Sequence, residues 1–110
     1  MNPGIYLVTF SANTKDFGAG LVVVDNKKLH GGDFSYLYRG SYELNAGILR
    51  ASIQVSHYQG ELNSVFGPLK SFSLNLQGNL TQTGFSLSGH VEGHPQLTIT
   101  ILGVKKADLV

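Results

Sequence analysis

The stretch SFSLNLQ, residues 71–77, alternates polar and apolar side chains without interruption. Residues 85–92 and 97–101 repeat the same alternation. A period of two is typical of strands that turn one face toward solvent and the other toward a core. No spacing of three and four residues, as an amphipathic helix needs, is comparably clear. The sequence therefore predicts an all-β protein.

Turn-like residues separate eight alternating runs along the chain. The predicted strands cover residues 4–11, 18–24, 27–32, 35–43, 47–58, 69–78, 84–92 and 96–104. Most of the links between them are short, which joins antiparallel neighbours, because a parallel crossover needs about a dozen residues. Eight such strands hide their edges by closing into a ring. We predict one domain, residues 1–110, folded as an eight-stranded antiparallel up-and-down β-barrel of lipocalin-like form. A two-sheet sandwich is the alternative.

Composition excludes several classes of protein. The 110 residues include no cysteine, which rules out disulfides and thiolate metal sites, and the formal net charge is +1. No long basic run is present, so direct nucleic-acid binding is not expected. Met1–Gly4 lacks the basic and apolar segments of a signal peptide, and no apolar run is long enough for a membrane helix. We expect a cytoplasmic protein without a membrane span.

Glycine recurs inside the predicted strands as well as between them, and 14 glycines are present. A glycine within a strand marks a bend, a bulge or a close approach of two backbones, and a small barrel needs such positions to curl. The triplet Gly31-Gly32-Asp33 is the best turn candidate. Its aspartate side chain is suited to accept hydrogen bonds from nearby backbone amides.

The interior of an eight-stranded barrel is either filled by side chains or holds one small ligand. The aromatic stripe Tyr36, Tyr38 and Tyr42 fits a core or cavity lining better than a base-stacking surface, because the chain is nearly uncharged. Alternation predicts that a cavity is lined by Phe10, Val22, Tyr38, Tyr42, Ile53, Val55, Phe72, Leu74, Leu87, Val91, Ile99 and Ile101.

One link, residues 59–68, is longer than the others and carries the apolar residues Leu62, Val65 and Phe66. Apolar residues in a loop usually pack inward. We interpret this segment as a plug over one mouth of the barrel. Docking of the same side chains on the outer wall is the alternative.

No group of residues predicts catalysis. Ser86-Leu87-Ser88-Gly89 lacks the first glycine of a nucleophile elbow, and phosphate-loop and dinucleotide motifs are absent. His90, Glu92 and His94 share one strand face and are chemically adequate zinc ligands, but they lie on the predicted solvent side. A solvated polar face is the better interpretation. We expect no enzyme activity, no metal and no cofactor.

Apolar residues are also predicted on the outer wall. If Tyr6 and Val8 point inward, Ile5 and Leu7 point outward, and the same alternation places Leu102 and Val104 outside. The first and last strands are neighbours in a closed barrel. These four residues, Ile5, Leu7, Leu102 and Val104, therefore form a candidate dimer seam.

Five short motifs carry a resemblance to a known family. They are Gly4-Ile5-Tyr6-x-Val8-x-Phe10, Gly18-x-Gly20-x-Val22-Val23-Val24, Leu29-x-Gly31-Gly32-Asp33, Tyr38-x-Gly40-x-Tyr42 and Ser64-Val65-Phe66-Gly67. In this order they resemble the GrlR-like family, small bacterial proteins described as negative regulators of type III secretion. The last third of the chain matches only in having alternating strands.

The resemblance implies a lipocalin-like barrel with a hydrophobic interior, a plug-like loop and a homodimeric state. It also implies regulation by holding a transcriptional regulator protein, without contact to DNA. One difference concerns the loop between strands four and five. Virulence-island members carry a run of acidic residues there, whereas Tyr42–Ala46 contains only Glu43, so that electrostatic complement to a partner is missing.

Two functions follow as hypotheses. The first is a non-enzymatic regulatory binding protein, a homodimer that sequesters a protein partner. The alternative is a carrier or sensor of a small hydrophobic, lipid-like ligand held in the barrel cavity.

Overall fold

The computed structural model describes all 110 residues and contains eight strands and no helix. The strands are β1 Gly4–Ala12, β2 Phe17–Asp25, β3 Lys28–Gly32, β4 Tyr36–Asn45, β5 Ile48–His57, β6 Ser71–Leu80, β7 Gly84–Val91 and β8 His94–Ala107. The predicted all-β class is confirmed. No helix long and apolar enough to cross a membrane is present.

The strands close into one barrel in the order β1 to β8, and every neighbouring pair is antiparallel. The ring is completed by β1 and β8, where Leu7 lies opposite Val104 and Phe10 lies opposite Ile101. The predicted up-and-down barrel is thus confirmed, and the two-sheet sandwich is wrong.

Two tight turns, β2–β3 and β4–β5, lie at the end of the barrel that also holds the chain termini, which we call the turn end. The β2–β3 turn has positive φ at Asn26 (49°) and Lys27 (61°), and the β4–β5 turn has positive φ at Ala46 (53°) and Gly47 (80°). Two consecutive positive φ values are the requirement of type I′ hairpin turns, whose twist matches that of the flanking strands. The longer connections, including residues 58–70, lie at the opposite end, which we call the loop end.

The last hairpin differs from the prediction. We expected the last strand to begin at residue 96, but β8 begins at His94 and the turn is Glu92-Gly93, with φ of 81° at Gly93. The register between β7 and β8 shifts at His90/Val91, next to this turn. Proline is tolerated at such irregular strand ends, so Pro95 does not mark a break.

Side chains of alternate residues meet inside the barrel. Twenty buried hydrophobic residues form a single cluster, with Leu29, Leu49 and Leu87 at 2% exposure or less. Burying each of these side chains contributes roughly 2 kcal/mol to stability. All eight strands contribute to this core, so it holds the wall of the barrel in one piece.

The glycines of β3 correct one prediction. Gly31 and Gly32 end the strand and do not form the turn, which consists of residues 33–35. A Cβ on Gly31 would lie 1.9 Å from the carbonyl oxygen of Leu21 on β2, and one on Gly32 would lie 2.6 Å from the carbonyl oxygen of Tyr36. Both positions need glycine because neighbouring backbone approaches too closely for a side chain.

Candidate functional site

A small apolar cavity lies inside the barrel toward the loop end. Its volume is about 60 Å³, and it is lined by Phe10, Val22, Leu29, Asp33, Tyr36, Tyr38, Ile53, Val55, Ser64, Val65, Phe72, Leu74, Ile99 and Ile101. All strands except β7 contribute to this lining. The space is enough for a few water molecules.

Most of the predicted lining residues surround this cavity. They are Phe10, Val22, Tyr38, Ile53, Val55, Phe72, Leu74, Ile99 and Ile101. Tyr42, Leu87 and Val91 are buried in the core but do not line the cavity. Tyr42 lies opposite Ala51, nearer the turn end of the barrel, and the other two belong to β7. Alternation predicts whether a side chain points into the barrel, but it does not predict the position of that side chain along the barrel axis.

Five lining residues were missing from the predicted lining: Leu29, Asp33, Tyr36, Ser64 and Val65, the last of which was predicted for the plug. Tyr36 lies two residues before Tyr38, so the same alternation could have placed its side chain in the cavity. Leu29 is the only large apolar residue of the short strand β3, where no alternation is visible. Asp33 and Ser64 lie in connections between strands, where periodicity carries no information.

Asp33 organises the turn between β3 and β4. Its Oδ1 accepts hydrogen bonds of 2.8 Å from the backbone amides of both Ser35 and Tyr36, as predicted for this residue. Its Oδ2 accepts a hydrogen bond from the hydroxyl of Tyr38, a cavity residue. Burial, and then this hydrogen bond, raise the pKa of Tyr38 far above its ordinary value of 10.0. Tyr38 is therefore a neutral donor at physiological pH.

The long connection between β5 and β6 lies over the loop end of the barrel. Val65 is 6% exposed and packs in the core cluster, and its carbonyl accepts a 2.6 Å hydrogen bond from Thr14 Oγ1 in the β1–β2 connection. The Phe66 ring meets Phe72 edge-on at 5.5 Å between centroids. Leu62, also predicted to point inward, is only half-buried and lies outside the core cluster.

An apolar patch lies on the outside of the barrel across β8, β1 and β2. The four predicted seam residues meet there, because Leu7 lies opposite Val104, and Leu102 lies opposite Thr9 beside them. β2 extends the patch, since Leu21 lies opposite Leu7 and Val23 lies opposite Ile5. We call these six residues, Ile5, Leu7, Leu21, Val23, Leu102 and Val104, the apolar wall.

Exposure differs within the apolar wall. Leu102 is 51% exposed, Leu21 54% and Val23 39%, whereas Ile5, Leu7 and Val104 are half-buried. None of the six carries a charge. The opposite side of the barrel is polar, and the outward residues of β5, β6 and β7 include Arg50, Ser52, Gln54, Asn75, Gln77, Asn79, Ser86 and Ser88. A contiguous apolar area on the outside of a barrel is typical of a protein-binding surface.

The candidate metal ligands do not come together as a site. His94 starts β8 and is exposed, Glu92 lies in the turn, and His90 lies on β7 opposite Thr98. The structure contains no group of three or more histidine, cysteine, aspartate or glutamate residues arranged to hold a metal ion.

The barrel therefore offers two candidate regions, a small interior cavity and an apolar wall. Neither a scan of protein-family models nor a search of curated proteins finds a match for this sequence.

Proposed function

We propose that this protein is a non-enzymatic binding module of the cytoplasm, a homodimer that regulates by sequestering another protein. The GrlR-like resemblance of the first two thirds of the chain suggests negative regulation of type III secretion genes, with a transcriptional regulator as the partner. The observation that carries the binding role is the apolar wall on β8, β1 and β2.

The apolar wall suits a second copy of the same chain. A two-fold interface brings one patch against itself, so it tolerates no uncompensated charge at its centre. The six residues of the wall are all apolar, and Leu21 and Leu102 stand more than half exposed. Pairing two walls removes these side chains from water without opposing like charges.

The cavity gives less support to a carrier of lipid-like ligands. Pockets for small molecules usually enclose roughly 300–1,000 Å³. The cavity here measures about 60 Å³, and Val65 occupies part of its boundary. The interior is nearly filled by the protein's own side chains, so a lipid chain would require displacement of the β5–β6 connection.

Recognition of the protein partner does not rest on an acidic cluster. Glu43, the single carboxylate near the β4–β5 turn, lies directly opposite Arg50 on the neighbouring strand. This arrangement leaves little net charge on the hairpin. The proposed partner is therefore held by apolar and backbone contacts.

The dimer is tested by sedimentation at micromolar concentrations. We expect the wild type to sediment as a dimer and the double variant Leu21→Ser/Leu102→Ser as a folded monomer. Asn75→Ser/Gln77→Ser, on the polar side of the same barrel, is the matched control and should remain dimeric. A monomeric wild type would refute the homodimer.

The regulatory role is tested in the native cell. Deleting the gene should raise transcripts of type III secretion genes, and re-expressing the wild type should lower them again. Unchanged transcripts after deletion would refute the regulatory part of the proposal while leaving the dimer intact.

A further inference from the structure

β2 is longer than the strand beside it, and this leaves part of its edge open. β2 pairs with β3 only from Leu21 to Asp25, because β3 has five residues and ends at Gly32. Residues 17–20 pair on the other side with β1, where Gly18 lies opposite Phe10 and Gly20 opposite Val8. We call the opening beside residues 17–20, at the loop end of the barrel, the β2 notch.

Two residues point their backbone groups into the β2 notch. The carbonyl oxygen of Leu21 lies against Gly31, so the backbone N–H and C=O of Leu21 point toward β3. Successive residues of a strand direct their backbone N–H and C=O groups to opposite neighbours. The backbone groups of Phe17 and Ala19 therefore point to the same side of β2 as those of Leu21. No hydrogen bond outside the strand ladders involves either residue. Their N–H and C=O groups therefore form an open edge ready to pair with another strand.

Exposed aromatic side chains flank this edge. Phe17 is 82% exposed on β2, and Phe34 is 84% exposed on the β3–β4 turn, across the notch. They are the two most exposed aromatic residues of the chain. Their position favours contact with apolar side chains of whatever occupies the edge.

The turn that carries Phe34 is held in place before any partner arrives. Tyr58 donates from its hydroxyl to the carbonyl of Asp33 at 2.8 Å, and Gln59 Nε2 donates to the carbonyl of Phe34 at 2.7 Å. The Tyr58 amide donates to the carbonyl of Ser35 at 2.9 Å. A fixed turn loses little conformational entropy when a partner binds.

We propose that the β2 notch binds an extended segment of a partner protein, which adds as a strand beside Phe17 and Ala19. The backbone of the segment supplies hydrogen bonds to the open edge, and its outward apolar side chains pack against Phe17 and Phe34. A segment in which every second residue is apolar fits this site.

A second copy of the chain fits the β2 notch less well. Beyond residue 20, β2 is paired on both sides, so a second barrel offers the same four residues and no more. A free segment continues past the notch toward Phe34 and gains contacts that another barrel wall does not reach. The notch borders the apolar wall at Leu21, but its open backbone groups belong to Phe17 and Ala19, which are not part of the wall. The proposal therefore stands whether or not the homodimer forms.

The test uses heptapeptides selected from a random phage-displayed library against the full-length protein. We expect enriched peptides with alternating apolar residues. Ala19→Pro removes one N–H from the open edge, where proline is tolerated, and should weaken binding about tenfold or more. Ala19→Val keeps the N–H and should bind like the wild type. Failure to enrich peptides, or equal binding to Ala19→Pro, would overturn the proposal.

Amide hydrogen exchange of the wild type gives a second measurement that needs no variant. Without peptide, the Phe17 and Ala19 amides should exchange much faster than those of Gly18 and Gly20. A selected peptide should slow exchange at Phe17 and Ala19 at least about tenfold. Concentration-dependent protection without peptide would show that a second copy occupies the edge and would refute the proposal.

Discussion

The hydroxyl of Tyr38 donates a hydrogen bond to the carboxylate of Asp33, which joins a residue inside the barrel to the turn between β3 and β4. The same carboxylate holds two backbone amides of the turn. One side chain thus fixes the edge of the cavity, the start of β4 and the position of Phe34. Polar contacts around Asp33 thus order the β3–β4 turn, whereas the β5–β6 connection at the same end is held largely by the apolar packing of Val65 and Phe66.

Asp33→Ala removes all three hydrogen bonds and leaves the buried Tyr38 hydroxyl without its acceptor. We expect a loss of about 3 kcal/mol in the free energy of unfolding, measured by urea denaturation. Tyr38→Phe removes one of the three bonds and no backbone contact, so it should cost about half as much. Equal losses in the two variants would show that the amide contacts do not contribute.

Alkaline pH should destabilise the barrel through Tyr38. Burial, with the hydrogen bond to Asp33, raises the pKa of this tyrosine in the folded state above its ordinary value of 10.0. Below about pH 10 the hydroxyl is neutral in both states, and this contribution to stability is fully present. Above about pH 10 the unfolded chain loses the proton first, so stability falls by roughly 1.4 kcal/mol per pH unit.

The measurement is urea unfolding between about pH 9 and 11. Burial also raises the pKa of Tyr6 and of Tyr42, so part of the loss should persist in Tyr38→Phe. The variant should nevertheless show a shallower decline than the wild type. Parallel curves for the two proteins would contradict the assignment to Tyr38.

The sequence predicted the barrel because its signal is repeated in strand after strand. Alternation in residues 71–77 assigned Leu74 and Leu76 to the inside, and both are buried. The short links indicated that neighbouring strands are antiparallel. Closure into a barrel was the simplest arrangement that leaves eight strands without free edges. Each of these inferences depends on local chain geometry, which is largely determined by neighbouring residues in the sequence.

The site was less predictable, because it depends on distances between strands. Periodicity placed Tyr42, Leu87 and Val91 inside, but only the stagger of the strands decides which inward residues meet at the cavity. The unequal lengths of β2 and β3 create the β2 notch, and a difference of four residues leaves no mark in the hydrophobic pattern. The sequence predicted Asp33 as a turn residue, but its hydrogen bond to Tyr38 could be identified only from the folded structure.

Gly78 should be among the least replaceable residues of the barrel. It lies on β6 opposite Leu87, and a Cβ at this position would lie 1.8 Å from the backbone oxygen of Ser86. Gly78→Ala must push β6 and β7 apart, so we expect a loss of roughly 3 kcal/mol or more in thermal or urea unfolding.

Ser88→Ala is the control, because it changes an exposed residue on the outer face of the adjacent strand. Its stability should stay within about 0.5 kcal/mol of the wild type. A Gly78→Ala variant as stable as this control would mean that the two strands do not approach as closely as described.

The pairing of β1 with β8 has a consequence for how the chain reaches its final form. Every other strand pair joins consecutive segments and is able to form as a hairpin, whereas Ile5 meets Ala107 across nearly the whole chain. Closing so long a loop carries the largest entropic penalty, so ring closure belongs late in folding. The first and last strands also lie side by side. A short peptide joining them, with a cut in the β5–β6 connection, would give a circular permutant that begins at β6 and keeps the same strand neighbours.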